Sequence, residues 1–576
     1  MKLGKLIACC GGLPLVVLAP SLAQAQTPPP PASLPYNIGN AVREGDQTRQ
    51  APLPGAVVAP VLPQLVEPQF TLGDKKTLFV RSLVLDGPAL VPEDEVRQIL
   101  SSYENRNLTL AQIYEAAEKI TTLYRSHGYL VAKAYVPQQD ASGGVLHFKL
   151  VPGQYGSITL QNGSFVRDDF VHGTIDNAVG AASVVRNDEL ERAMLLVSDL
   201  PGAGMPKIAI GPGQQPETSD FIFDVPEGNR IDGYLLGDNY GSPYTGRNRA
   251  SGGINLNSPL GFGDRLALSG IFSERSELIN GRLAYAFPVG HDGLRAEMSF
   301  SRTTYVLGRI YTPLAAKGTA DAAAATVSYP IFRQQAESLY ISGSFAHKIL
   351  TDKILGTATV NRTSDSGTAS VTNNTTGTVI GWPFVTTANF SFTQGYLTFA
   401  NPAQQTTNAA GPNTAGDYTK LNLTFTATIA FDEKLSLATT LRGQKSLTGN
   451  LDSSEQFGLT GYYGIRSYDE GLSGDSGFLL TPALKYALPD IYALKHQVGL
   501  FTDIGAAALE RAAWTTTQRG YTELNDVGLG YYATFEYSTN RFAILKAEIA
   551  HSFAGNGGAQ AYDRATKALF QVGFTF

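Results

Sequence analysis

Hydrophobic and polar positions follow two different rhythms along this chain of 576 residues. Over residues 77–228 periods near two and near 3.6 succeed one another, as expected of short strands mixed with helices. The pattern predicts a strand over 78–85 and a short helix near 92–103. A longer helix follows from the face shared by Leu110, Ile113, Tyr114, Ala117, Ile120 and Tyr124. Thr109 and Gln112 have capping-box spacing at its start, and Gly128 is placed to end it. Strands over 129–136 and 145–151 complete the unit. The same order returns with a strand over 157–161, a short helix from Arg167 and a second helix after Asn187. That second helix shares Leu190, Ala193, Met194 and Val197 on one face, with Asp188, Glu189 and Glu191 near its positive end. Strands over 206–210 and 220–225 follow. Both copies close alike, on Val151-Pro152-Gly153 and Val225-Pro226-Glu227-Gly228. The reading is a β-α-α-β-β unit used twice, over 77–153 and 154–229.

From Arg230 onward the rhythm becomes strict alternation. Leu421, Leu423, Phe425, Ala427 and Ile429 alternate with Lys420, Asn422, Thr424, Thr426 and Thr428. Leu294, Ala296, Met298 and Phe300 alternate with Arg295, Glu297, Ser299 and Ser301, and Leu339, Ile341, Gly343 and Phe345 behave likewise. Soluble antiparallel sheets alternate too, so the last segment matters more. Phe570, Val572, Phe574 and Phe576 share one face, and a strand closing on an aromatic resembles an outer-membrane assembly signal carried by Phe570, Phe574 and Phe576. Residues 230–576 shared among about 16 strands leave roughly 22 residues for each strand and its connection, which suits tilted membrane strands. The expected fold is a transmembrane antiparallel β-barrel preceded by two α+β domains.

The first residues change the compartment. Lys2 and Lys5 precede an apolar stretch from Leu6 to Leu22, and Ala23-Gln24-Ala25 offers a small-x-small cleavage site, so residues 1–25 read as a secretory signal. Both cysteines, Cys9 and Cys10, lie within it, which leaves the predicted mature chain without thiols. Residues 26–76 form a proline-rich arm, interrupted by a proline-free stretch from Asn37 to Gln50 with Ile38, Ala41 and Val42 on one side. Gly39 and Gly45 weaken that helix. Composition agrees with a polar-lined barrel: charged residues make up 16% and glycine numbers 60. Lys+Arg number 44 against 50 Asp+Glu, a balance without a nucleic-acid footprint. The sequence lacks H-E-x-x-H, G-x-S-x-G and Walker patterns, so no catalytic, cofactor or metal site is expected.

Three motifs carry a family resemblance. Gly237-Asp238-Asn239-Tyr240-Gly241, Tyr244-Thr245-Gly246 and Asn257-Ser258-Pro259-Leu260-Gly261-Phe262-Gly263-Asp264 resemble the first barrel hairpin of TpsB-type two-partner secretion transporters, the ShlB/FhaC/HecB hemolysin secretion/activation family. An inward loop around 461–477 carries Ile465, Arg466, Ser467, Tyr468, Glu470, Gly471, Gly474 and Asp475, similar to the family's V-R-G-F/Y, E-G and S-G-D series. Phe501-Thr502-Asp503-Ile504-Gly505 matches its F-x-D-x-G strand. Ser467 replaces the family's tip glycine, and a positive φ there would disfavour serine.

The resemblance implies that the two repeated units are POTRA domains, that Arg466 pairs with Asp503 to anchor the loop, and that 37–50 is a plug helix. By alternation Gln497, Gly499, Phe501 and Asp503 face the lumen, while Val498, Leu500, Ile504 and Ala506 face lipid. It implies an outer-membrane pore that passes an unfolded exoprotein from periplasm to cell surface without ATP. The partners would be a cognate exoprotein with an N-terminal secretion domain, outer-membrane lipids and the barrel assembly machinery. The rival reading is an assembly factor of the same superfamily that inserts other barrels.

Overall fold

The computed structural model describes residues 36–50, 60–63, 76–180, 184–512, 520–555 and 566–576. The expected signal segment lies outside these residues, as does most of the proline-rich arm. A helix α1 (Ile38–Gln50) comes first. Asn37 caps it, its side-chain oxygen accepting from the amides of Gly39 and Asn40 at 2.9 and 3.2 Å.

The first α+β domain contains β1 (Thr77–Val80), β2 (Ser82–Asp86), α2 (Glu93–Ser101), β3 (Arg106–Thr109), α3 (Leu110–Ser126), β4 (Lys133–Tyr135) and β5 (Val145–Val151). The second contains β6 (Gln154–Asn162), α4 (Asp168–Val179), α5 (Asn187–Ser198), β7 (Lys207–Pro212) and β8 (Thr218–Val225). Their sheets share one topology. The last strand is central, parallel to the first strand and antiparallel to the one before it, in the orders β2-β5-β4 and β6-β8-β7. Helices cover one face of each sheet, over Ile120 and Phe148 in the first domain and Leu190 and Phe221 in the second.

Several details differ from the sequence reading. The strand over 78–85 is two strands broken at Arg81. Its first half pairs with β3, which the hydrophobic pattern did not reveal. The strand over 129–136 shrinks to β4 because Ala132 donates to the Tyr129 carbonyl at 3.0 Å, forming a turn. The helix from Arg167 has 12 residues and is not short. Thr109 and Gln112 make the reciprocal capping box of α3. Its buried face is rotated, however. Ala116 and Thr121 are inside while Leu110 and Tyr114 are exposed. Thr121 is buried because its hydroxyl accepts from the Ala134 amide of β4 at 2.9 Å.

Sixteen strands close into an antiparallel barrel among the described residues. They are β9 (Ile231–Asp238), β10 (Arg249–Asn257), β11 (Arg265–Ser273), β12 (Leu278–Pro288), β13 (Arg295–Val306), β14 (Lys317–Arg333), β15 (Glu337–Ile354) and β16 (Thr357–Val379) on one side. On the other are β17 (Trp382–Phe399), then, after helix α6 (Pro402–Ala409), β18 (Gly416–Ala430) and β19 (Leu435–Thr448). A two-stranded ribbon, β20 (Phe457–Gly458) with β21 (Ser473–Gly474), follows before β22 (Ser476–Ala487), β23 (Leu494–Ala508), β24 (Thr522–Ser538), β25 (Arg541–Gly555) and β26 (Thr566–Thr575). Met298, Phe300, Ile341, Phe345, Phe570, Val572 and Phe574 are exposed on the outer face, as apolar-out patterning requires. Closure comes from β26 pairing with β9, where Phe576 and Gly233 exchange backbone hydrogen bonds at 2.8 and 2.9 Å. Gly233 carries no side chain where the Phe576 ring packs; a Cβ there would lie 2.7 Å from it.

The second domain docks on the periplasmic turns. The Asn257–Asp264 motif forms the β10–β11 turn, held by Asp264 accepting from Tyr285 Oη at 2.8 Å. This turn meets the domain where the Arg167 amide donates to the Gly261 carbonyl at 2.7 Å. Leu200 lies against Gly263, at a site a Cβ would fill. Asp199 receives a two-pronged contact from Arg333 of β14, at 2.7 and 2.8 Å.

Candidate functional site: a lumen filled from two sides

The chain leaves the wall after Thr448, folds into the barrel, and rejoins it at Ser476. The inward segment is therefore 449–475, beginning earlier than the expected 461. Its tip packs on strands that give it room. Gly505, following Asp503 on the inner face, faces the Leu459 and Ile465 side chains, which a Cβ would approach to 2.8 and 3.1 Å. The F-x-D-x-G spacing thus puts a carboxylate and a gap on the same inner face.

Arg466 fills that site. Its Nε donates to Asp503 Oδ2 and its Nη2 to Oδ1, both at 2.9 Å, while Nη1 donates to Glu548 Oε1 at 2.9 Å. The guanidinium lies 3.5 Å from the centre of the Phe501 ring. All three charged side chains are buried. A fork on two carboxylates suits arginine and would be lost with lysine. The tip backbone is held too. The Arg466 amide donates to Asp503 Oδ2 at 3.2 Å, and the Ser467 amide to Asp526 Oδ2 at 2.8 Å. Ser467 is not among the residues with positive φ, so serine stands there without backbone strain.

The other loop residues form separate contacts. Ile465 and Tyr468 pack with Leu459, Phe457 and Leu479. Glu470 accepts from the Tyr462 amide at 3.3 Å. Gly471 lines the small space facing the luminal helix. Gly474 lies against Ala508, and Asp475 accepts from Leu451, Gln456 and Arg511. Tyr240 of the first hairpin stacks on Tyr462, ring centres 3.4 Å apart and planes within 6°. Two motifs distant in sequence therefore meet. Phe501 and Asp503 are buried inside and Val498, Leu500 and Ile504 face outward, as alternation requires. Ala506 departs from this: it is buried, although it stands at the outward parity between Phe478 and Glu523.

Helix α1 enters from the other side. Ile38, Ala41 and Val42 pack with Leu278, Tyr305, Ala320 and Leu350 of β12–β15. Arg249 of β10 reaches Glu44 at 2.5 Å and Asp238 at 2.9 Å, all three buried. Tyr36 Oη donates to the other Glu44 oxygen at 2.7 Å. Arg43 donates to the Ser453 and Gln456 carbonyls of the inward loop at 3.3 and 2.6 Å. The two helix glycines are sites of close approach. A Cβ on Gly39 would lie 2.4 Å from the Ser453 backbone, and one on Gly45 would lie 2.9 Å from the Asn280 side chain. Helix and loop leave between them a cavity of about 20 Å³, the space of one water.

Glu548, Asp526, Glu44 and Arg249 are residues that sequence reasoning missed. Asp526-Val527-Gly528 repeats the D-x-G spacing of Asp503-Ile504-Gly505 on the neighbouring strand, and Asp503 and Asp526 are paired in register. That repeat was the available signal for Asp526. Glu548 and Arg249 stand at inward strand positions, where a polar lumen accepts charges with or without a protein partner, so no local signal marked them.

Two α+β domains on a barrel whose lumen is occupied by its own chain define an outer-membrane transporter with periplasmic POTRA domains. Comparison with known sequences gives the family. The description haemolysin secretion/activation protein ShlB/FhaC/HecB matches residues 217–524, more than half of the chain, and the ShlB-type POTRA domain matches 78–153. The chain belongs to the ShlB/FhaC/HecB family and is a transporter of the two-partner secretion type. It is 26% identical over 449 residues to the heme/hemopexin transporter protein HuxB of Haemophilus influenzae (strain 86-028NP), covering 76% of this chain and 78% of that one. The outer membrane transporter CdiB of Dickeya dadantii (strain 3937) is 23% identical over 405 residues, covering 69% and 70%. CdiB from Escherichia coli has the same fold, with a TM-score of 0.69 at 18% identity over 93% of this chain and 96% of that structure.

Proposed function

We propose that this transporter binds a cognate exoprotein by its N-terminal secretion domain on the POTRA domains and passes it outward unfolded, without ATP. In this reading α1 is a plug that must leave the lumen. The Arg466–Asp503 contact anchors the inward loop, and Phe570, Phe574 and Phe576 are read by the barrel assembly machinery. The reading is supported above all by the way the lumen is filled. One body, α1, meets the wall through the Ile38 amide on Asp352 and the Glu44–Arg249 pair, whereas the loop is held by a fork on two carboxylates plus backbone hydrogen bonds. The first suits release and the second suits retention. The exposed edges of the sheets in both domains suit an extended client that adds as a strand.

The client is defined by experiment as the secreted protein lost from the medium when this chain is deleted. A variant lacking 155–228 should insert as a heat-modifiable barrel yet leave that protein in the periplasm. Normal export by the truncated form would remove the POTRA domains from the pathway.

A further inference from the structure

The inner wall is divided into two chemically different sectors. Inward positions are identified by what they touch. Leu350 of β15 meets α1, Lys420 of β18 meets Glu455, and Arg442 of β19 meets the Tyr463 carbonyl. Leu423, Phe390, Phe392, Val371 and Ile341, of the opposite parity, are exposed on the outer face. Following this parity down β14–β19, every inward position over 322–328, 342–346, 368–374, 387–393, 422–428 and 436–440 carries Ala, Ser, Thr or Asn. Charges on these strands, such as Lys348, Arg362 and Lys420, sit nearer the extracellular end, where they hold the inward loop. The strands that flank this sector on either side carry charges. Arg282 of β12 pairs with Glu297 of β13 at 2.5 Å, and Lys485 of β22 lies 5.0 Å from the Tyr532 ring centre.

From this division we infer that the exported polypeptide slides along the hydroxyl- and amide-lined sector of β14–β19 and does not run along the charged sector. The inference rests on the export reading above and adds the path. An extended chain in a confined lumen must satisfy its backbone N–H and C=O groups. Ser, Thr and Asn can both donate and accept, so partners can be exchanged from one row to the next. Neighbours on this wall are already linked in that manner: Thr368 with Thr393 at 2.9 Å, Asn389 with Thr372 at 2.7 Å, and Thr387 with Asn374 at 2.9 Å. Thr424, Thr426 and Thr428 are exposed to the lumen. Apart from Arg442, in register with Thr424 and turned to the Tyr463 carbonyl, and Tyr340, in register with Thr372, this surface has no fixed charge to hold an acidic or basic side chain and no large apolar face to hold a greasy one. Along the charged sector each passing charge would meet a partly desolvated partner and be retained.

The test uses the full chain in cells and the client defined by its loss from the medium on deletion. The photoreactive residue p-benzoylphenylalanine replaces Thr372, Asn389 or Thr426 on one sector and Arg282 or Lys485 on the other. Heat-modifiable mobility confirms that each barrel has folded. Where one has not, Ser391 or Thr424 serves in its place. Illumination during export should give client adducts at least tenfold more abundant from the first sector. Adducts mainly from Arg282 and Lys485, equal yields from both sectors, or export without adducts from β14–β19 would overturn the path. If deletion removes no protein from the medium, the export reading itself fails.

Discussion

Arg249 of β10 and Glu44 of α1 face each other at 2.5 Å with both side chains buried, joining the luminal helix to the wall. Asp238 shares the same guanidinium at 2.9 Å. Losing Glu44 therefore leaves Arg249 one partner, whereas losing Arg249 leaves two carboxylates facing a buried space. Breaking a buried pair from one side costs ~3–5 kcal/mol, less where water enters.

The two variants should consequently differ. Glu44→Gln should increase open-channel events in planar bilayers modestly, and Arg249→Ala should increase them more, since about 1.4 kcal/mol already changes an equilibrium tenfold. Equal, unchanged conductance in both would mean that this contact does not hold α1 in the lumen.

Arg466 and Asp503 should behave as a unit. Either single change to Ala should depress export while barrel insertion persists, and the double variant should add little to Arg466→Ala, which already leaves the Asp503 carboxylate without its cation. Glu548 offers Arg466 a second carboxylate at 2.9 Å, so Asp503→Ala should be the milder single variant. Ser467→Gly should export normally, since Ser467 stands outside the positive-φ region. A double-mutant cycle on export rate, with barrel amounts equalised, reads the coupling. Additive losses would separate the two residues functionally.

How far the sequence led depended on whether a feature was local. The capping box of Thr109 and Gln112 and the strand Val145–Val151 were legible because each is decided within a few residues. The buried face of α3 was misread by part of a turn, because Thr121 is drawn inward by the Ala134 amide, a partner 13 residues away. In α1 the apolar face was legible, but Gly39 and Gly45 counted against the helix. Only Ser453 and Asn280, brought close by tertiary folding, explain them. The pairing of Arg466 with Asp503 came from resemblance. Glu548 stayed hidden because no local spacing ties β25 to a loop tip 82 residues earlier.

Phe576 exchanges two backbone hydrogen bonds with Gly233 across the closing seam and exposes its ring to the outer face. Removing it should reduce the amount of folded, heat-modifiable barrel several-fold while the POTRA domains remain foldable. Gly233→Leu should have a similar effect, as its side chain would occupy the place of the Phe576 ring. Undiminished barrel in both variants would make this contact incidental to assembly.

Export through this chain is tested most directly in proteoliposomes that contain it as their only protein, with the POTRA domains outside. The client lost from the medium on deletion is diluted from urea onto them without nucleotide, and protease is added afterwards. The account predicts full-length, protease-protected client inside the vesicles, reduced at least tenfold when the transporter carries Arg466→Ala. Client that stays entirely protease-accessible, with a correctly folded wild-type barrel in the membrane, would contradict it.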